Sequence, residues 1–195
     1  MKFPFEQEII LENEKVLLRP LTLDDADYLL PIATDDKTLL QYSPRQIYTK
    51  VLLKENIEIM LAEKKSRTRY PFIIFDKIQN KWTGSTSFLN ISETDSRLEI
   101  GSTWIGKEFQ KTGLNRNCKF LLLSYCFEEL GVMRVEFKTD ERNTASRKAI
   151  EGIGAKFEGI LRSHTLMSDG YRRNTVFYSI LNEEWVELKN VFPIF

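Results

Sequence analysis

The chain has 195 residues, of which 42% are hydrophobic and 29% are charged. This composition is typical of a globular protein, and the length suits one domain rather than two. The 28 basic residues balance the 28 acidic ones, so no overall field favours nucleic acid or an acidic membrane surface as a partner.

The N-terminal half of the chain predicts one strand, two helices and then three more strands. Thr22 and Asp24 can cap the first helix, which is predicted to reach Pro31, because short polar side chains accept hydrogen bonds from N–H groups at a helix start. Apolar residues spaced over residues 46–64 predict the second helix. The four strands are predicted over residues 16–21, 70–75, 82–90 and 97–105.

A change to helical spacing marks the second half of the chain. Apolar side chains between Cys118 and Leu130 recur at i, i+3, i+4 and i+7, which predicts one face of a helix that ends at Gly131. A short helix is predicted to begin at Asn143. Three strands are predicted around it, over residues 133–139, 157–166 and 175–181.

This order of elements predicts an α/β fold of the α+β type. Short turns between successive strands favour antiparallel hairpins. The strand–helix–strand crossover from Ile100 to Val135 should instead create one parallel pair, because parallel strands need a long connection. We therefore expect a mixed, mostly antiparallel sheet of about seven strands with helices on both faces.

The cysteines and the single histidine predict no metal site. Cys118 and Cys126 lie eight residues apart in one predicted helix, too far to form a disulfide, and they form no recognisable ligand spacing with His164. No apolar run approaches the roughly 20 residues of a membrane span, and the N-terminus is unlike a secretory signal. We therefore expect a cytoplasmic protein with no membrane partner.

The loop before the long helix carries the strongest chemical signal. A strand that feeds a helix start leaves backbone N–H groups unpaired, and the helix dipole favours an anion there. Gly113 permits a positive φ angle, and Lys111 and Arg116 add positive charge. A pyrophosphate fits such a site. The loop has neither a Walker motif nor a dinucleotide-binding motif. The alternative interpretation of Gly113 is therefore an ordinary turn or helix cap.

This loop and several linked motifs resemble the GCN5-related N-acetyltransferase (GNAT) family. Gln110-x-x-Gly113-x-Asn115 is similar to its Q/R-x-x-G-x-G/A pyrophosphate loop, although Asn115 replaces the usual small residue, which implies adjusted phosphate contacts. Other motifs are similar to the branch of ribosomal-protein N-terminal alanine and serine acetyltransferases: Glu99-Ile100-Gly101, Asn143-Thr144-Ala145-Ser146 and Asp169-Gly170. The resemblance spans about residues 16–185 and implies one N-acetyltransferase domain over residues 1–195.

The resemblance implies acetyl-CoA as the co-substrate and direct acetyl transfer to an amine, with a protein N-terminal α-amine as the favoured acceptor. A small-molecule amine, or a noncatalytic acyl-CoA-binding domain, is the alternative. The sequence also leaves open whether the chain forms a homodimer. The residues implied to bind the cofactor are Thr103, Trp104, Ile105, Gln110, Lys111, Thr112, Gly113, Leu114, Asn115, Arg116 and Asn143.

Two side chains are candidates for the proton transfers of this reaction. Glu99 is the first candidate to accept a proton from the amine, with Glu136 as the second, because only a neutral amine can attack a thioester. Ser146 resembles the hydroxyl that donates to the departing thiolate. The structural alternatives are a solvated strand glutamate at Glu99 and a helix cap formed by Asn143 and Ser146.

Overall fold

The computed structural model describes residues 1–192. The strands are β1 (Leu11–Glu12), β2 (Val16–Pro20), β3 (Arg69–Asp76), β4 (Lys81–Ser92), β5 (Arg97–Ile105), β6 (Arg134–Asp140), β7 (Lys156–Leu166) and β8 (Arg172–Leu181). The helices are α1 (Ala26–Asp35), α2 (Lys50–Lys65), α3 (Leu114–Ser124), α4 (Thr144–Glu151) and α5 (Asn182–Val191).

The eight strands form one sheet in the order β1-β2-β3-β4-β5-β6-β8-β7. Every neighbouring pair is antiparallel except β5 and β6, which are parallel. The predicted mixed, mostly antiparallel sheet and its single parallel crossover pair are therefore confirmed. The strand that the sequence analysis did not predict is the two-residue β1 at the edge.

Helices cover both faces of the sheet and form two separate hydrophobic cores. One core joins α1 and α2 to Ile73 of β3. The other joins α3 and α5 to Phe72 and Ile74, the two neighbours of Ile73. Because side chains alternate across a strand, successive residues of β3 enter different cores. The unbroken apolar run over residues 70–75 follows from this burial on both sides.

The first helix continues past the proline at which it was predicted to end. A proline inside a helix lacks the N–H that would bond four residues back, yet α1 runs through Pro31 to Asp35. Leu29 and Ala33, on either side of Pro31, are fully buried against α2 and the sheet. Packing of both flanks thus offsets the lost hydrogen bond.

The long helix ends where the sequence predicted but not in the predicted form. α3 passes into one turn of π-helix over Tyr125–Glu129, and the chain then turns at Gly131, whose φ angle is +64°. The sequence analysis missed α5 altogether. Trp185 is the buried residue of α5, so this helix lacks the apolar stripe from which a helix is recognised.

Phe192, the last described residue, packs onto the α3 side of the sheet. The Phe192 ring lies 5.5 Å from that of Phe120 and 5.8 Å from that of Trp185, measured between ring centroids. Residues 193–195 lie outside the described residues. The described end of the chain therefore completes the core beneath α3 and α5.

Close approach between β4 and β5 depends on Gly84. A Cβ atom added there would lie 2.0 Å from the carbonyl oxygen of Trp104 in β5, so Gly84→Ala must push the two backbones apart. We expect a loss of about 2 kcal/mol or more in the free energy of unfolding, measured with urea. Gly159→Ala is the control, because its Cβ would meet no atom within 4 Å. Equal losses in both variants would contradict the prediction.

Candidate active site

The second half of β5 has a strand on one side only. β5 and β6 pair through three residues each, Arg97 with Arg134 to Glu99 with Glu136, and then separate. We call the space between residues 100–105 of β5 and residues 137–140 of β6 the β5–β6 gap. Such a gap leaves the backbone groups on these edges available to a ligand.

Two N–H groups of β5 are directed into the β5–β6 gap. The N–H of Gly106, directly after β5, donates to the Thr83 carbonyl of β4 at 2.9 Å. Because N–H directions alternate along an extended strand, those of Thr103 and Ile105 are turned away from β4. These are the two amides that the family resemblance implies for cofactor binding.

A β-bulge lies in the same part of β5, directly after Gly101. Gly101 pairs with Ser87 and Trp104 with Ser85, so two residues of β5 oppose one of β4. Ser102, inside the bulge, has a φ angle of +49°. Gly101 instead leaves space for the carboxylate of Glu99, because a Cβ added at residue 101 would lie 2.8 Å from Glu99 Oε1.

The loop between β5 and α3 presents unpaired donors. It contains a short 3₁₀ helix over Lys107–Phe109 and reaches α3 through Gly113, whose φ angle of +87° confirms the expected left-handed conformation. Gln110 Nε2 donates to the Ile105 carbonyl at 3.0 Å and ties the loop to the end of β5. Within residues 1–192 no acceptor faces the N–H groups of Lys111, Thr112, Gly113 and Asn115. This arrangement suits an anion.

Polar side chains fix the start of α3. Asn117 is buried, and its Nδ2 donates to the Gly113 carbonyl at 3.1 Å. Its Oδ1 accepts from Asn13 Nδ2, next to β1, at 2.9 Å. Thr112 Oγ1 donates to the Phe109 carbonyl at 2.8 Å. The loop is therefore held on both sides by neutral hydrogen bonds.

A buried lysine, which the sequence analysis missed, links α3 to the bulge. Lys119 is 7% exposed, and its Nζ donates to Thr103 Oγ1 at 2.7 Å. Thr103 Oγ1 is also 2.8 Å from Thr86 Oγ1 of β4. Burial lowers the pKa of Lys119 to about 8. In the sequence, the one indication that Lys119 is buried is that it directly follows Cys118, a residue of the apolar stripe of the helix.

Glu99 is a buried carboxylate with one engaged oxygen. Its Oε2 lies 2.9 Å from Lys138 Nζ and accepts from Asn90 Nδ2 at 2.7 Å. Its Oε1 accepts no hydrogen bond from residues 1–192. Because Leu98 and Ile100 enter the core beneath α3, alternation places Glu99 on the opposite face of the sheet, where α1 and α2 pack.

The second candidate base is more strongly paired. Glu136 Oε1 accepts from Arg134 Nε at 3.0 Å, and its Oε2 lies 3.8 Å from Arg97 NH1. Both carboxylate oxygens of Glu136 thus face guanidinium groups, whereas Oε1 of Glu99 has no side-chain donor among the described residues. Glu99 is therefore the better placed of the two.

Asn143 and Ser146 lie beside the other wall of the β5–β6 gap, since α4 follows β6 directly. Asn143 Oδ1 accepts from the Ser146 N–H at 3.0 Å, so the cap predicted as their structural role is confirmed. The Nδ2 group of Asn143 and the hydroxyl of half-buried Ser146 have no protein partner in the described part of the chain. Both remain able to contact a ligand.

The cysteines and the histidine stand apart from this site. Cys118 and Cys126 are buried free thiols, and burial raises the pKa of both, that of Cys118 to about 12. His164 is exposed on β7, with Nδ1 3.1 Å from Thr175 Oγ1. Among residues 1–192 there is no group of three or more His, Cys, Asp or Glu residues able to hold a metal ion.

An open groove lies on the α1–α2 side of the sheet. It has a volume of about 490 Å³ and is formed by the α1–α2 connection, α2 and the turn between β7 and β8. Arg45, Glu55 and Asp169 give it charges of both signs, and Tyr48, Leu52 and Ile59 give it an apolar wall.

Among residues 1–192, every helix is too short or too polar to span a bilayer.

Comparisons with known proteins agree with this geometry. A family model described as "Acetyltransferase (GNAT) domain" matches residues 15–156. "Putative ribosomal N-acetyltransferase YdaF" of Bacillus subtilis (strain 168) is 36% identical over 102 residues, which are 52% of this chain and 55% of that protein. The matched part thus spans about half of that relative.

Solved structures extend the similarity to almost the whole chain. A "GCN5-related N-acetyltransferase from Brucella melitensis" has a TM-score of 0.88 and 27% identity, covering 97% of this chain and 86% of that one. A "putative acetyltransferase" from T. thermophilus has a TM-score of 0.86 and 31% identity, covering 98% of this chain and 97% of that one. The predicted fold and the family resemblance are both confirmed.

The lowered pKa of Lys119 predicts a measurable dependence of stability on pH. Between about pH 8 and the model-peptide value of 10.5, the unfolded chain binds more protons at this residue than the folded one, so stability rises with pH. Lys119→Met removes this contribution. From about pH 7 to about pH 9.5, the free energy of unfolding of the unaltered chain should rise by roughly 2 kcal/mol relative to the variant.

Urea unfolding at several pH values measures this difference. Lys54→Met, at an exposed position of α2, controls for the general loss of one positive charge. Cys118, whose pKa burial raises to about 12, is present in both proteins, so its own effect on the pH dependence of stability cancels in the comparison. A constant difference between Lys119→Met and the unaltered chain would contradict the prediction.

Proposed function

Because this chain belongs to the GNAT acetyltransferase family, we propose that it transfers the acetyl group of acetyl-CoA to a protein N-terminal α-amine. The observation that carries the proposal is the β5–β6 gap, which opens beside the unpaired N–H groups at the start of α3. A ligand with phosphates at one end and amides along an extended arm matches this combination.

The loop and the strand edge bind different parts of the cofactor. The unpaired N–H groups of Lys111, Thr112, Gly113 and Asn115 bind the pyrophosphate, and the side chains of Lys111 and Arg116 add positive charge. The amides of Thr103 and Ile105 and the Nδ2 of Asn143 bind the arm. Trp104 and Leu114 are not assigned as donors, because their side chains are buried in the two cores. The Trp104 backbone is turned toward β4, and the Leu114 N–H faces Thr112 Oγ1 at 3.4 Å.

Transfer proceeds by direct attack of the amine on the thioester carbonyl carbon. Glu99 accepts the proton of the amine, directly or through water, on its Oε1. A backbone N–H near the thioester stabilises the oxyanion that forms, an interaction worth roughly 3 kcal/mol for a well-placed donor. Ser146 donates its hydroxyl proton or a hydrogen bond to the departing thiolate. The deeply buried thiols of Cys118 and Cys126 take no part.

The groove at α2 and the β7–β8 turn supports a peptide as the acceptor. It lies on the face of the sheet that carries Glu99, and its mixed charges do not select a polycation such as an aminoglycoside. The name of the Bacillus subtilis relative, a ribosomal N-acetyltransferase, points the same way. The competing candidate is a small-molecule amine, since the groove is open and large enough for one.

Acetyl-CoA is expected to raise the melting temperature of the chain. A ligand at 100 times its Kd that binds only the folded state stabilises it by roughly 2.7 kcal/mol. Thermal melts with acetyl-CoA and CoA measure this effect. Release of free thiol with a panel of N-terminal peptides, each matched by its N-terminally blocked form, then identifies the acceptor. Activity on small amines alone would reject the proposed acceptor.

Glu99→Gln should lower kcat by roughly 100-fold or more, because the amide keeps the shape of the side chain and cannot accept the proton. The Kd for acetyl-CoA should stay within about 2-fold, since Glu99 lies on the opposite face from α3. Glu136→Gln is the matched control, and its kcat should fall far less. If both variants lose kcat equally, or if Glu99→Gln keeps full activity, Glu99 is not the proton acceptor.

A further inference from the structure

Lys119 is a buried cation with no carboxylate of the described residues in direct contact. Burial lowers its pKa, and the charge of Glu99 opposes that shift only from beyond ion-pair distance. The single hydrogen bond of Lys119 is to the neutral hydroxyl of Thr103, and no carboxylate of residues 1–192 lies within ion-pair distance of Nζ. An ammonium group has three N–H donors, so two of them have no acceptor among the described residues. Buried lysines are rare unless they are paired. The described residues therefore supply no ion-pair partner that would explain the burial of this side chain.

A structural role does not account for this lysine. Removing a charge from water costs several kcal/mol, which one hydrogen bond to a hydroxyl does not recover. A methionine of similar length would fill a similar volume without that cost. Residues that break a local rule of packing in this way are typical of functional sites.

The position of Lys119 connects the two parts of the proposed cofactor site. Thr103, to which its Nζ donates, lies in the part of β5 that has no strand beside it. One turn earlier on the same face of α3, the Oδ1 of Asn115 is also buried without a partner. The unsatisfied polar groups of α3 thus extend from its first turn to the bulge.

We propose that Lys119 binds the acyl-pantetheine arm of acetyl-CoA, by donating a hydrogen bond from Nζ to a carbonyl oxygen of that arm. The inference rests on the proposed function and adds to it a side chain that the loop and the strand edge do not supply. Thr103 then contacts the arm through its N–H and holds Lys119 through its hydroxyl.

The geometry favours the arm over the phosphates as the group that Lys119 contacts. The phosphate donors lie at residues 111–115, whereas Lys119 lies five residues into α3, roughly 7.5 Å farther along the helix axis. Its hydroxyl partner belongs to β5, along which the arm extends. A carbonyl oxygen also accepts a hydrogen bond from either protonation state of an amine.

Calorimetric titration with two ligands tests the proposal. One is acetyl-CoA, and the other is adenosine 3′-phosphate 5′-diphosphate, the nucleotide part of the cofactor without the arm. Lys119→Met should raise the Kd for acetyl-CoA about 10-fold or more and leave that for the nucleotide within about 2-fold, as expected for the loss of one buried hydrogen bond. Lys119→Gln, which keeps an N–H donor, should recover part of the affinity.

Lys111→Met supplies the contrasting control, because loss of a charge at the phosphate loop should weaken both ligands by the same factor. Circular dichroism of each variant checks that it is folded. An unchanged Kd for acetyl-CoA in Lys119→Met, or equal losses for both ligands, would overturn the inference and leave the proposed function intact. Failure of the unaltered chain to bind acetyl-CoA would overturn both.

Discussion

Hydrogen bonding along β5 decides what the site can hold. One side of β5 pairs with β4, while the other pairs with β6 over only three residues. A backbone donor that has lost its strand partner still needs an acceptor, because an unpaired donor costs free energy once water is excluded. The first turn of α3 lies next to the same gap and has the same requirement. A single extended ligand can satisfy both sets of donors.

Polar side chains add to the apolar packing that joins this gap to the rest of the protein. Thr86 and Thr103 lie 2.8 Å apart across the bulge, and Lys119 completes the chain of contacts from α3. Asn117 connects the start of α3 to the segment before β2 through Asn13. The hydrogen bonds of Asn117 and of the threonine pair are neutral, so they specify positions without drawing on the positive charges of the loop, which remain available to an anion.

Much of the fold could be predicted because local sequence and tertiary structure agree. The apolar stripe that begins at Cys118, the glycine at 131 and the long crossover between β5 and β6 each carry a direct pattern. α5 could not be predicted, because one tryptophan supplies its burial. Lys119 was missed for a related reason, because a charged residue beside an apolar stripe is usually exposed to solvent. Its burial follows from the packing of α3 against β5, which the local sequence does not reveal. The continuation of α1 beyond Pro31 likewise depends on packing against α2.

The alternation of side chains along β5 has a consequence for how two substrates communicate. Ile100 faces the core beneath α3, whereas Glu99 faces the side of the open groove. The edge of β5 thus holds the proposed contacts to the cofactor, while the candidate proton acceptor extends from the face of β5 opposite α3. Any ligand that changes the curvature of this strand from one side is expected to reorient the carboxylate on the other. Affinities for donor and acceptor would then be coupled, and by thermodynamic reciprocity each substrate would alter the binding of the other by the same factor.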